Sequence, residues 1–246
     1  MFDLYGYKDI FLAGAWLTLQ VALLSLLLAV VLGLIAALAK LSHSSVLTGI
    51  ATVYTTIIRG IPDLILMLLI FFGGQMLVNN MSYNFNEWLN GVMTGYYPNH
   101  EWTSYLPDYI DISPYFAGIV TIGFIFGAYM AETFRGAILA VDKGQMEAAT
   151  AYGMNKYKRF SRIMFPQMMR HALPGLGNNW LVLLKTTALV SIIGLQDMVK
   201  IAGDASGSTQ KPFTFYLVVA LVFLLYTTIS TSFLKWAEHK YRIQTR

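Results

Sequence analysis

The sequence predicts an all-α integral membrane protein with five transmembrane helices in a single domain over residues 1–246. Three observations carry this. Apolar residues make up 56% of the chain and charged residues 12%, against roughly 25% charged in an ordinary globular chain. Several apolar runs reach the roughly 20 residues that a helix needs to cross a hydrocarbon core. The basic residues sit in short segments between those runs, so the net charge of +4 reads as a topology signal rather than as a nucleic-acid surface. The absence of cysteine excludes disulfides, thiolate metal sites and cysteine nucleophiles.

The first span covers about 10–39 and is closed by Lys40. The opening MFDLYGYKDI has acidic residues and no basic n-region, and the run after it is too long for a signal h-region, so the run is expected to stay in the protein. The second span, about 46–78, is interrupted by Arg59, Gly60, Pro62 and Asp63. Proline removes a helix donor and disfavours helix before it, which predicts a kink or break. Residues 79–114 form a polar, aromatic-rich segment with Glu87, Glu101, Asp108 and Asp111 and no Lys or Arg from Met81 to Pro114. Its rings (Trp88, Tyr96, Tyr97, Trp102, Tyr105, Tyr109) are expected to pack at the membrane interface, with contact to an external protein as the alternative and short helices inside the segment. The third span, about 115–141, carries Glu132 and Arg135. A basic loop, 142–171, precedes a fourth span at about 172–195 that contains Lys185. A polar loop from Gln196 to Pro212 leads to the last span, about 213–236, and a basic tail, Lys235 to Arg246.

Orientation follows from Lys and Arg in short loops. Lys143, Lys156, Lys158, Arg159, Arg162 and Arg170 fall in the 142–171 loop. With five spans, that loop, Lys40 and the tail share one side. This predicts an N-terminus outside and a C-terminus in the cytoplasm, with Lys200 and Lys211 as a mild exception.

The 142–171 loop contains EAATAYGMNKYKRFSRIMFP from Glu147 to Pro166. Glu147 to Tyr152 is helix-prone, Gly153 is a natural helix end, and Asn155 is placed to cap a second helix. Lys156, Arg159 and Arg162 alternate with Tyr157, Phe160 and Ile163 in an amphipathic pattern. Two readings fit the periodicity: a basic amphipathic segment lying on the membrane, or a compact knob that docks in a groove and transmits a push.

The spacing of Glu147, Ala148, Ala149, Gly153, Ile163 and Pro166 resembles the EAA signature of ABC-importer permeases, with Phe165 in place of the usual leucine. RGIPDLILMLLIFFG at 59–73, GAYMAETFRGAI at 127–138, FPQMMRHALPGLGNNW at 165–180 and LKTTALVSIIGL at 184–195 extend the likeness over nearly the whole chain. It is nearest to the polar amino-acid branch that includes histidine/lysine/arginine/ornithine permease subunits. The resemblance implies a type I ABC importer permease fold in a bacterial inner membrane. It implies three kinds of protein partner: an ATP-binding subunit dimer, a second permease copy or a related permease, and an extracytoplasmic amino-acid-binding protein. Membrane lipid surrounds the assembly. ATP and Mg would reside on the ATPase, with no cofactor in this chain, which lacks the G-x-x-x-x-G-K-[ST] phosphate loop. The loop from Glu147 would be the coupling element.

Charges at membrane depth cost about 2.5–3.5 kcal/mol on insertion scales, which makes each a candidate site. Here these are Arg59, Asp63, Glu132, Arg135 and Lys185. By resemblance, Glu132 would serve the substrate's α-ammonium and Asp63 a cationic side chain, with Asn178, Asn179, Thr186, Thr187 or freed backbone N–H groups near Gly60–Pro62 for the carboxylate. The competing reading is internal pairing, Glu132 with Arg135 and Lys185 with Asp63 or Glu132. GDASGS at 203–208 has no His-Asp set and reads as a turn. His43, His100, His171 and His239 lack metal-ligand spacing, so no metal and no catalytic residue is expected. A permease that couples to the ATPase without binding substrate itself is the alternative function.

Overall fold

The computed structural model describes residues 6–97, 99 and 101–241. The first five residues of the opening segment, His100 and the tail's Arg242 and Arg246 lie outside the described residues. Two long helices form the centre, α1 (Lys8–Lys40) and α4 (Pro114–Leu139). They pack on each other more extensively than any other pair, and small residues explain why. A Cβ on Gly33 would lie 2.5 Å from Cβ of Met130, and one on Gly123 would lie 2.6 Å from Leu28. Lipid supplies no hydrophobic force between helices, so close backbone approach through small residues is what holds them. Ser113 caps α4, accepting from the Phe116 N–H at 3.3 Å, and Pro114 stands in its first turn, where its missing donor is no loss. Around this pair lies a core of Ile122, Ile125, Phe126, Met130, Leu183 and Val190.

The interrupted second span is two helices, α2 (Ser45–Gly60) and α3 (Asp63–Tyr96). Ile61 between them is extended, φ −113° and ψ 139°, as the residue before a proline prefers. The boundary at 78 is corrected: α3 continues to Tyr96. Its 34 residues make about 51 Å of helix, well beyond a ~30 Å hydrocarbon core. The sequence from 79 to 96 contains no proline, and one face of the helix is held by its own return segment. Gln75, Asn79, Ser82, Asn86 and Asn90 recur at helical spacing and clamp residues 103–112. Asn79 Oδ1 accepts from the Ile110 N–H at 2.7 Å, and Ser82 donates to the Pro107 carbonyl at 2.7 Å. Asn86 accepts from the Tyr105 and Leu106 N–H groups at 3.1 and 2.9 Å and donates to the Leu106 carbonyl at 3.0 Å. Asn90 accepts from the Thr103 N–H at 3.0 Å and donates to the Thr103 carbonyl at 2.8 Å. Asn86 and Asn90 therefore each supply donor and acceptor to a backbone segment that has no sheet to join. The six aromatic rings of this segment remain largely on the surface, from 39% exposed at Tyr105 to 80% at Tyr96. Asn86→Ala is expected to speed hydrogen exchange at the Tyr105 and Leu106 amides by roughly a hundredfold, from three lost bonds of about 1 kcal/mol each. Exchange unchanged at those two amides would refute the ladder.

Beyond α4 come α5 (Lys143–Ala151), α6 (Lys156–Arg159), a wide π turn (Phe160–Met164) and α7 (Phe165–Thr186). Pro166 follows the π turn. A wider turn removes the clash of the proline ring with the carbonyl four residues back. The boundary of the fourth span is corrected too. The α-helix ends at Thr186 rather than at 195, tightens to a 3₁₀ turn at Thr187–Ser191 and stops at Gly194, φ +95°. The polar loop at 196–212 is also corrected, since α8 (Met198–Thr209) occupies most of it. Asp197 caps α8, accepting from the Lys200 N–H at 2.9 Å, and Met198, Ile201, Ala202 and Ala205 are buried at helical spacing. Burial pushes the Asp197 carboxyl up to about 6. The last helix, α9 (Pro212–Tyr241), crosses α8 and α1 through Phe215 and Val219. Among the described helices α1, α3, α4 and α9 are long and apolar enough to cross a membrane. α7, with 22 residues and a length of about 33 Å, has the length of a fifth crossing.

Candidate functional site

The segment from Glu147 to Pro166 folds into a knob. Asp142 caps α5 by accepting from the Gly144 N–H at 2.7 Å. Its far end is closed by paired backbone bonds: the Met154 N–H donates to Ala149 O at 3.0 Å and the Gly153 N–H to Thr150 O at 2.9 Å. This closure needs a left-handed residue at Gly153, which has φ +73°, and glycine takes that conformation without strain. Asn155 then caps α6, accepting from the Lys158 N–H at 2.9 Å. The Arg159 guanidinium donates to the Thr150 hydroxyl and ties the two helices together. Ala149 is the buried side of α5, while Glu147 and Ala148 are exposed. Ile163 is half-buried and Pro166 exposed. Tyr152 is 86% exposed, Tyr157 77% and Phe160 47%. The aromatic members of the amphipathic pattern therefore face outward, and the knob presents an acid and three rings on a rigid base.

The charges at depth divide into two groups. Glu132 on α4 is fully engaged. Lys40, at the end of α1, donates to Oε1, and Arg135 donates to Oε2 at 3.0 Å. Lys40 also donates to the Thr55 hydroxyl of α2 at 2.8 Å. The Lys40 ammonium thus ties α1 to Glu132 of α4 and Thr55 of α2. The predicted Glu132–Arg135 pair is present, but the principal partner is Lys40, which the sequence places in a connecting link, and not Lys185. Asp63 stands differently. It is the first residue of α3, is half-buried and makes no ion pair among the described residues. Its polar neighbour is Tyr129, whose ring also carries the Arg59 guanidinium 5.7 Å from its centroid. The first backbone bond of α3 runs from the Leu66 N–H to Pro62 O. The N–H groups of residues 63–65 therefore point from the helix start with no intrahelical acceptor.

Residues 29–243 match the family described as the binding-protein-dependent transport system inner membrane component. The chain belongs to this family. Among curated relatives of this permease, the histidine/lysine/arginine/ornithine transport system permease protein HisQ of Salmonella typhimurium is 49% identical over 98% of this chain and 96% of its own length. The octopine transport system permease protein OccQ of Rhizobium radiobacter is 38% identical over 96% and 91%. Among solved structures, the crystal structure of an amino acid ABC transporter with histidines is similar at a TM-score of 0.72 and 29% identity, covering 95% of both chains. The permease is an all-α, multi-pass inner-membrane protein with the type I importer permease fold. Its family works with a separate ATPase subunit.

The remaining candidate residues of this permease fare unequally. Thr186 and Thr187 are buried and donate within their own helix, to Val182 O at 3.1 Å and Leu184 O at 2.7 Å. Asn179 donates to the Thr133 hydroxyl at 3.0 Å. These donors are committed to packing. Asn178 and Lys185 lie exposed on α7. Sequence reasoning missed Lys40, Tyr129 and Asp197. Lys40 closes a span and looks like a topology charge; only its long, flexible stem lets it reach back to Glu132.

Proposed function

We propose that this chain is a transmembrane permease subunit of an ATP-driven importer for basic amino acids, with the α5–α6 knob as the seat of a partner ATPase. Support for the coupling role comes from the knob's rigid closure and outward-facing side chains. A dimer of ATP-binding subunits, carrying ATP and Mg, would close on two such knobs, one from this chain and one from a second copy or a related permease. An external binding protein would deliver the substrate. The N-terminus would lie outside and the C-terminus in the cytoplasm, following the excess of Lys and Arg in 142–171.

The observation that carries the substrate class is Asp63, the carboxylate at depth without a cationic partner among the described ion pairs. A basic amino acid would place its side-chain cation on Asp63. Its α-carboxylate would lie on the N–H groups that open α3, where the helix dipole favours an anion. Asp63→Asn in the assembled transporter is expected to lower uptake of arginine and lysine by roughly ten- to a hundredfold, from the loss of a charge-assisted bond of about 1.5–3 kcal/mol. Unchanged uptake by a normally assembled complex would end this assignment. The alternative, a partner permease that couples without touching substrate, draws on Glu132, whose carboxylate is taken by Lys40 and Arg135.

A further inference from the structure

The seam between α7 and α9 holds two cavities, one after the other along the same pair of helices. One, of about 290 Å³, is lined by Arg170 and Pro174 of α7 and by Lys235, Glu238, His239 and Tyr241 of α9. The other, of about 500 Å³, runs on along the same helices and reaches across to α1, with Leu23, Val30, Leu176, Trp180, Ile229 and Phe233 among its walls. They follow one another along these helices: Leu176 of the second stands about one turn from Leu173 of the first on α7, and Leu234 of the second one turn from Glu238 of the first on α9.

The course of α9 creates the groove. Its first half lies against α8 and α1, where Phe215 and Val219 are buried and the Tyr226 hydroxyl donates to Ala15 O at 3.1 Å. Beyond Tyr226 the helix diverges from α1. It touches α7 where Leu234 meets Gly177, at 3.1 Å from where a Cβ would stand. The side chains left along the opening are apolar, and Ile229 and Phe233 are 60% and 63% exposed.

A groove in a membrane fills with some acyl chain, so the apolar half alone would specify nothing. The polar half specifies. The groove covers α1 from Leu19 to Val30, about 16 Å along the helix, a length comparable to half of a ~30 Å core. At its end, where a headgroup would sit, stand Arg170, Lys235 and His239. Neither Arg170 nor Lys235 is in an ion pair among the described residues, and the pocket's one acid, Glu238, offsets only one of the two permanent charges. Trp236, with Lys240 5.7 Å over its ring, and Tyr241 mark the interfacial level.

We infer that this seam is a binding site for one anionic glycerophospholipid, with its phosphate in the Arg170–Lys235–His239 pocket and an acyl chain in the groove toward Trp180. Charge complementarity selects this occupant. A basic pocket between membrane helices at headgroup depth is the form that recognises acidic lipid heads.

Native mass spectrometry of the full chain in mild detergent tests this, with dioleoylphosphatidylglycerol and dioleoylphosphatidylcholine as probes. One phosphatidylglycerol is expected to be retained in preference to phosphatidylcholine. The double variant Arg170→Gln/Lys235→Gln is expected to lose roughly thirtyfold in that preference, at about fivefold per cation near the surface. The charge-keeping variant Arg170→Lys/Lys235→Arg is expected to retain it, which separates charge from folding. Ser230→Phe, which fills the groove, is expected to weaken retention with the basic pocket intact. Equal retention of the two lipids overturns the proposal, as does a preference that survives loss of both charges. Displacement by sn-glycerol 3-phosphate would reduce the site to an anion pocket and overturn the acyl-chain half. A photocrosslinker at Phe233 that captures a second protein chain instead of lipid would make the groove an interface between chains, and overturn it entirely.

Discussion

Glu147→Arg is expected to abolish ATP-driven transport while leaving the chain inserted and folded. Glu147 is exposed on α5 and makes no ion pair among the described residues. Its replacement in the isolated permease therefore falls in the class of surface changes within about 0.5 kcal/mol. The effect would come from the partner. Loss of one member of a charge pair that is desolvated on docking costs roughly 2–5 kcal/mol, and reversal adds repulsion. The lower bound corresponds to a roughly thirtyfold weaker grip of the ATPase on the knob. Co-purification of the ATPase should fall while membrane insertion and thermal stability of the permease stay at the wild-type level. Hydrolysis that continues without transport would also fit, since it places the defect in transmission. Wild-type transport by Glu147→Arg would remove the knob from the coupling role.

The knob was legible in the sequence because its signals are local. A helix over Lys143–Ala151, a left-handed stop at Gly153 and a cap at Asn155 are set by residues within a few positions of each other, and the structure carries each. The break at Pro62 was legible for the same reason. What escaped depends on distance along the chain. The ladder on α3 joins Asn86 and Asn90 to backbone 13 to 20 residues away, and in the sequence those amides read only as a polar loop. α8 was missed because its apolar positions are separated by glycine and serine, and composition hid the periodicity. Lys40 and Glu132 are 92 residues apart. No local rule joins them, and the i,i+3 rule that found Arg135 found the lesser partner.

That pairing changes what Glu132 is expected to do. Glu132→Ala should destabilise the permease by about 3 kcal/mol, the lower end of what breaking a buried ion pair costs, because the side chains of Lys40 and Glu132 are 13% and 20% exposed. The loss arises chiefly at Lys40. With the carboxylate gone, its ammonium keeps only the Thr55 hydroxyl at 2.8 Å, whereas Arg135, 38% exposed, reaches water. The double variant Lys40→Met/Glu132→Met should then recover more than half of the loss, since it removes both buried charges and fills the space with apolar atoms. Thermal unfolding of the purified permease across this cycle measures the coupling directly. The same cycle separates a tie between helices from a substrate site. A tie predicts that Glu132→Gln lowers stability and leaves the ranking of transported amino acids unchanged. A site for the α-ammonium predicts intact stability with a raised KM for every amino acid carried, and that outcome would return Glu132 to the substrate.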